Sequence, residues 1–335
     1  MRKGIFTKEI VLTLAIMALG VAFSTPATAV VKLDMATTYS GQNMHAETCR
    51  EFAKRVNEAL KDQVFITVHE GGALGLKDED RFTAVADGIV PLQSVLMGAA
   101  IGTSPIFGLS TSPFFVKDFK EARLLMEIAR PYYEKEAKKH NQLILYTAPW
   151  PPSSIHANRP IIKYEDIKGL RIRTYDKNGT DVLKKAGANA VVMSWGDVYP
   201  ALATKTIDSV LTSSQSAVAG KFWEVLTDTT RVNFAIPLNM ININLDTFNK
   251  LTKDQQNKII EIGKQMDARQ WKLAEEAMVN DENTCEKNGM KITRSISSDL
   301  ASKLKADGMM VIDEWVKKVG PDAKKILDEF EKKRK

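Results

Sequence analysis

From Thr252 to Asn288 the chain carries no proline and, apart from Gly263, no glycine, and the run is rich in Glu, Lys, Gln, Ala and Met. Those residues lose little side-chain freedom in a helix. The run therefore predicts a single helix of about thirty-five residues, well beyond the common length for a globular protein. A helix of that length can bridge two lobes, which points to a hinged protein.

Upstream of that run, strand and helix patterns alternate. Val31–Ala36, Val64–Val68, Ile89–Leu96 and Leu143–Ala148 read as strands. Ala46–Leu60, Arg81–Ala86 and Ala122–His140 read as helices, the last broken or kinked at Pro131. At Pro149-Trp150-Pro151-Pro152 three prolines bar a regular helix or central strand and mark a boundary. The alternation then restarts with strands at Leu170–Tyr175, Ala190–Val192, Ile207–Leu211 and Met240–Asn244. Helices are expected at Asn178–Lys185, Trp195–Thr204 and Ser216–Leu226. A strand at Lys291–Arg294 and helices at Ser298–Val319 and Asp322–Lys333 close the chain. Such alternation argues for an α/β fold with largely parallel sheets covered on both faces.

The start of the chain fixes the expected compartment. Arg2, Lys3 and Lys8 precede an apolar run from Ile10 to Phe23, and Ala27-Thr28-Ala29 matches a secretory cleavage site. The run is about fourteen residues, short of the roughly twenty that span a bilayer. Residues 1–29 are thus expected to be a signal peptide, and the mature chain, from about Val30, to diffuse freely in the periplasm. The leader supplies +2 of the formal charge of +6. What remains is a modest positive bias with Lys and Glu interspersed, which argues against a nucleic-acid partner and suits an anionic solute.

Catalytic constellations are sparse. The four histidines, His45, His69, His140 and His156, lack metal-ligand spacing, and the two cysteines, Cys49 and Cys285, form no C-x-x-C. Neither a nucleophile elbow nor a phosphate-binding loop is present. Glu70-Gly71-Gly72-Ala73-Leu74-Gly75 reads as a turn, and Asn178-Gly179-Thr180 as a helix start, not a glycan site. No metal or cofactor is expected. Whether the two cysteines pair stays open, because they fall on separate predicted helices.

The most informative stretch runs from Asp166 to Ser214. It holds Asp166-Ile167-Lys168-Gly169-Leu170-Arg171-Ile172-Arg173, then Ala186-Gly187-Ala188, then Trp195-Gly196-Asp197-Val198-Tyr199-Pro200-Ala201-Leu202, then Thr206-Ile207-Asp208-Ser209. In this order the chain resembles the extracytoplasmic solute receptors of TRAP transporters, the DctP-like family. Val64–Gly75 and Pro113-Phe114-Phe115 also resemble segments of that family. The resemblance implies a two-lobed periplasmic-binding-protein fold with crossing strands and a long hinge helix. It divides the mature chain into lobe I (residues 30–150 and 239–278) and lobe II (residues 151–238 and 279–335). Its implied partners are a small organic anion and the TRAP membrane subunits, with the receptor acting as a monomer.

The resemblance also nominates ligand-binding residues. Arg173 closes the arginine strand and matches the family's carboxylate-binding arginine; a guanidinium is a planar, permanently charged fork for a carboxylate. On residue type alone Arg173 reads first as a surface ion-pair partner, since most arginines are exposed, and Arg171, two residues earlier, shares its expected face. Thr212 stands where many members have an asparagine, and Ser153 about where sugar-acid receptors place a second arginine. The threonine argues against carrying over the substrates of sialic-acid or C4-dicarboxylate members, and the serine in place of a second arginine favours a monoanion over a dianion. Trp150, Trp195 and Phe115 are candidates for an apolar wall, although each could be ordinary core, and Asn233 is a further candidate. Such a wall beside one arginine suits a monocarboxylate, aromatic ones included.

Three readings follow. The leading one is a non-catalytic receptor that delivers an organic acid to a transporter. A sensor feeding a signalling receptor is the second. The third, a periplasmic enzyme acting on a carboxylate, would need an acid–base pair such as Asp197 with His156 near Arg173.

Overall fold

The structure is a computed structural model and describes residues 29–334. The expected signal peptide lies outside the described residues, save for Ala29. The first half alternates strand and helix: β1 (Val31–Thr37), α1 (Met44–Ala59), β2 (Val64–His69), α2 (Asp78–Ala86), β3 (Leu92–Leu96), α3 (Phe119–Lys139) and β4 (Gln142–Pro149). Capping fixes the helix starts. The Asn43 side chain accepts the His45 N–H before α1, and Asp118 accepts the Glu121 N–H before α3. Pro131 lies within α3 without ending it, since Leu125, Met126, Ile128, Ala129 and Tyr133 bury one face of that helix.

The chain then crosses to a second sheet with β5 (Ser153–Ala157), β6 (Arg171–Thr174), α4 (Lys177–Lys185), β7 (Asn189–Val192), α5 (Trp195–Ala203), β8 (Ser209–Ser213), α6 (Ser214–Ala219) and β9 (Asp228–Thr230). It returns through β10 (Leu238–Asn244), α7 (Leu245–Asn249) and α8 (Lys253–Lys287), and ends with β11 (Lys291–Thr293), α9 (Ser298–Val319) and α10 (Pro321–Lys333). The expected helix Ser216–Leu226 is shorter than its pattern implied. It stops at Gly220, Lys221 takes a left-handed conformation, and a 3-10 turn carries the chain into β9.

Two sheets result, ordered β2-β1-β3-β10-β4 and β11-β9-β5-β8-β6-β7. Each is parallel except for one strand: β10 runs against β3 and β4, and β5 runs against β8 and β9. Those two reversed strands are the ones that arrive from the other lobe. The prolines at 151 and 152 lie in the first crossing, between β4 and β5, where no ladder needs their missing N–H.

Helix α8 spans 35 residues behind a Thr252–Gln255 capping box. Its Ile259, Ile262 and Met266 pack in the core shared with α1, whereas Cys285 packs with Val198, Phe222 and Leu226 of the second lobe. Gly263 allows a close approach, because a Cβ there would stand 2.8 Å from the Leu145 carbonyl oxygen of β4. Helix α9 likewise spans the lobes, with Leu300 and Leu304 in the core of lobe II and Trp315 in a core of lobe I. Helix α10 packs on α3 rather than on the second sheet. Its Ala323, Ile326 and Phe330 pack with Leu125, Ala129 and Tyr133 of α3, because Gly320 and Pro321 turn the chain back toward lobe I.

Cys49 and Cys285 are both buried and free. They sit in the cores of different lobes, so they do not pair.

Candidate functional site: an interlobe cleft around Arg173

In open α/β sheets, ligands sit at the carboxyl ends of the strands. Here both sheets turn those ends toward one cleft of about 470 Å³. β6 ends with Arg173 and Thr174, and β8 ends with Thr212 and Ser213. The reversed β5 begins beside them, with Ser153 paired to Ser213 and Ser154 to Thr212. From lobe I, Leu96 ends β3, Tyr39 follows β1, and Trp150 follows β4.

Arg173 is only 4% exposed, and its Nε donates to the Met193 carbonyl at 2.9 Å. It forms no ion pair among the described residues, and its guanidinium lines the cleft. Burial pulls its pKa down to about 10, while the nearby Tyr39, Tyr175 and Asp176 act in the opposite direction. The group remains cationic at neutral pH. A buried guanidinium held in position without a carboxylate is an anion receptor waiting for its counter-charge. Arg171 is separated from it as a strand start is from a strand end: Arg171 is exposed and its Nε pairs with Asp208 at 3.0 Å.

The apolar side is built by aromatic rings. Trp150 stacks on His45 with centroids 3.9 Å apart and meets Tyr39 edge-on at 5.1 Å. Its indole N–H donates to Asn239 Oδ1 at 2.8 Å. Trp195 lines the cleft from lobe II, and Tyr175 accepts a hydrogen bond from the Ser153 hydroxyl at 3.1 Å. Thr212 also lines the cleft, and its carbonyl accepts from His156 Nε2 at 3.2 Å. His156 is fully buried and bonded again to Thr229 Oγ1 at 2.9 Å. Burial lowers its pKa to about 4. Asp197 is exposed and does not line the cleft, so the pair that an enzyme would need is not assembled there.

Five of the nominated residues, Arg173, Thr212, Trp195, Trp150 and Ser153, thus line one cleft. Phe115 and Asn233 do not. Phe114 takes a left-handed φ of 55°, which turns Phe115 into the α3–α10 core against Phe330, at 5.3 Å between centroids. Asn233 has a φ of 49° and is exposed, while its neighbours Val232 and Phe234 are buried.

Sequence reasoning missed Tyr39, Tyr175, Ser213, Ser216 and Asp78. The signal for Asp78 was its spacing, i to i+3, from Arg81 on a helix start. Asp78 and Arg81 form an ion pair, with side chains 20% and 2% exposed. The second Asp78 oxygen accepts the Trp195 N–H at 3.3 Å, which joins α2 of lobe I to α5 of lobe II. Gln215 of α6 makes a second such link, donating to the Gln42 carbonyl at 3.2 Å. Two side-chain hydrogen bonds therefore tie the lobes to each other.

Comparison with known proteins agrees with this architecture. The family model of bacterial extracellular solute-binding proteins, family 7 (DctP), matches residues 35–318. The fold is similar to that of DctP6 of Bordetella pertussis, an extracytoplasmic solute receptor binding pyroglutamic acid. The TM-score is 0.87 at 28% identity, over 90% of this chain and 100% of that one. DctP7 of the same organism, also a receptor binding pyroglutamic acid, gives 0.87 at 26% identity over 90% and 100%. The 2,3-diketo-L-gulonate-binding periplasmic protein YiaO of Escherichia coli (strain K12) is 24% identical over 318 residues, covering 92% of this chain and 95% of that one.

Proposed function

The chain belongs to the bacterial extracellular solute-binding proteins of family 7, and on that premise we propose that its cleft takes a small organic monoacid, with pyroglutamate the leading candidate. Proteins of this family are extracytoplasmic receptors for organic acids that work with TRAP membrane subunits. No helix among the described residues is long and apolar enough to cross a membrane.

The observation that carries the reading is the buried, unpaired guanidinium of Arg173 beside a wall of aromatic rings. One such fork matches one carboxylate. The rest of the lining offers hydroxyls from Ser153, Thr212, Ser213 and Tyr175, which suit the neutral polar atoms of a small ring. Two receptors of the same fold at 26% and 28% identity bind pyroglutamic acid, a compact cyclic monoacid. The receptor is expected to act as a monomer.

The test is to denature the purified protein, identify any released molecule by mass spectrometry, and titrate L-pyroglutamate, succinate, D-glucuronate and phenylpyruvate by calorimetry. Tight pyroglutamate binding with weak or absent binding of the others supports the proposal. Preference for succinate would overturn the monoacid assignment, and preference for phenylpyruvate would move the ligand to the aromatic acids.

A further inference from the structure

Asp78 and Arg173 are the only charged side chains that line the cleft among the described residues. Directly behind Asp78 lies a second arginine. Arg81 is 1% exposed, its guanidinium pairs with Asp78, and one further N–H reaches the Ser94 carbonyl at 3.5 Å. Its Nε is buried without an acceptor. Arg81 does not itself line the cleft, whereas its ion-pair partner Asp78 does. Asp176, the other carboxylate near Arg173, accepts the Gly179 N–H and faces Gly98, so it turns away from the cleft.

We infer that Asp78 is a specificity-determining residue that masks Arg81, so that the Asp78–Arg81 pair sets the charge of ligand the receptor accepts. With the pair intact, the cleft presents one free positive charge, that of Arg173, and one carboxylate neutralises it. A second ligand carboxylate would approach Asp78 and be repelled, since like charges meeting in a desolvated site are strongly disfavoured. Without the Asp78 carboxylate, Arg81 becomes a second clamp and the site suits a dianion. Without the Arg81 cation, Asp78 stands free opposite Arg173, and the site suits a zwitterion with an ammonium group beside its carboxylate. This inference rests on the monoacid reading above and explains how a chain with two buried arginines can take one negative charge.

The test uses the full-length mature protein and three probes: L-pyroglutamate, succinate and L-proline, a zwitterion of similar ring size. Calorimetry is run on the parent and on Asp78→Asn and Arg81→Met. An asparagine is neutral and keeps one acceptor atom, where the carboxylate turns one oxygen to the Arg81 guanidinium and the other to the Trp195 backbone N–H. In Asp78→Asn the succinate-to-pyroglutamate affinity ratio should rise by about tenfold or more. In Arg81→Met the proline-to-pyroglutamate ratio should rise by about the same factor. Asp78 keeps partial solvent contact, so the second variant stays informative should the first fail to fold. Unchanged ratios in a folded variant overturn the inference. Tight succinate binding by the parent protein would instead overturn the monoacid reading, which keeps the two failures distinct.

Discussion

The Nε of Arg173, at the end of β6, donates to the carbonyl of Met193 at 2.9 Å, just before α5 begins. That bond spends the one N–H that points along the side chain and leaves the terminal fork for the cleft. The guanidinium is thus oriented before any ligand arrives, which lowers the ordering cost of binding.

Replacing Arg173 should abolish recognition while sparing the fold. Arg173→Ala removes a buried cation that has no ion-pair partner among the described residues, so the melting temperature without ligand is expected to hold or rise. Affinity for the acid should fall by about 2 kcal/mol or more, the scale of a charge-assisted pair. Calorimetry beside thermal unfolding reads both; wild-type affinity in the variant would remove Arg173 from the site.

Trp150 is held by its edge as well as its face. In Trp150→Phe the stacking on His45 can persist, but Asn239 Oδ1 loses its indole donor in a fully buried setting. Such an orphaned acceptor costs about 1–3 kcal/mol. A urea midpoint lowered to match, with the slope unchanged, is the expected result.

The long helix depends on its one glycine. Gly263→Ala raises helix propensity, which by itself would stabilise the helix by about 1 kcal/mol. The added methyl, however, would meet the Leu145 carbonyl at 2.8 Å and force α8 away from β4. Overpacking of that kind costs about 1–3 kcal/mol, so net destabilisation is expected. A variant as stable as the parent would mean that α8 and β4 yield freely.

Asp176 gives stability a pH signature. Burial raises its pKa from 3.8 to about 6, despite the Gly179 N–H it accepts and the pull of Arg173. The folded state therefore binds this proton more tightly than the unfolded chain does. Its contribution is fully present below about 3.8 and is lost as pH rises through about 6, on the order of 3 kcal/mol across that window. Asp176→Asn keeps an oxygen for the helix cap and titrates no proton. The variant's stability advantage over the parent should therefore grow from pH 4 to pH 7. Parallel stability–pH curves for the two proteins would contradict the shift.

Much of this architecture was legible because it follows from local rules. The strand–helix alternation, the Thr252–Asn288 run and the Pro149–Pro152 crossing depend on residue type and spacing, which the sequence displays. What stayed hidden depends on single backbone conformations and on long-range packing. A left-handed Phe114 sends Phe115 into the core, and Lys221 ends a helix that the residue pattern would have continued. Arg171 and Arg173 share a strand and a parity, yet one pairs with Asp208 in solvent and the other is buried. What separates them is the partner each meets, Asp208 for Arg171 and the Met193 carbonyl for Arg173. Asp78 went unread because its role depends on Trp195, 117 positions away.

The two free cysteines give the molecule a built-in pair of reporters. Cys49 lies on the buried face of α1, and Cys285 lies among the side chains around α5 and α6. Burial raises both thiols to a pKa of about 12, so neither offers appreciable thiolate while its lobe is folded. Labelling at either position therefore clocks the opening of that lobe alone. Without any engineered probe, the native chain can report whether a bound acid holds its halves together as one cooperative unit or lets one unravel before the other.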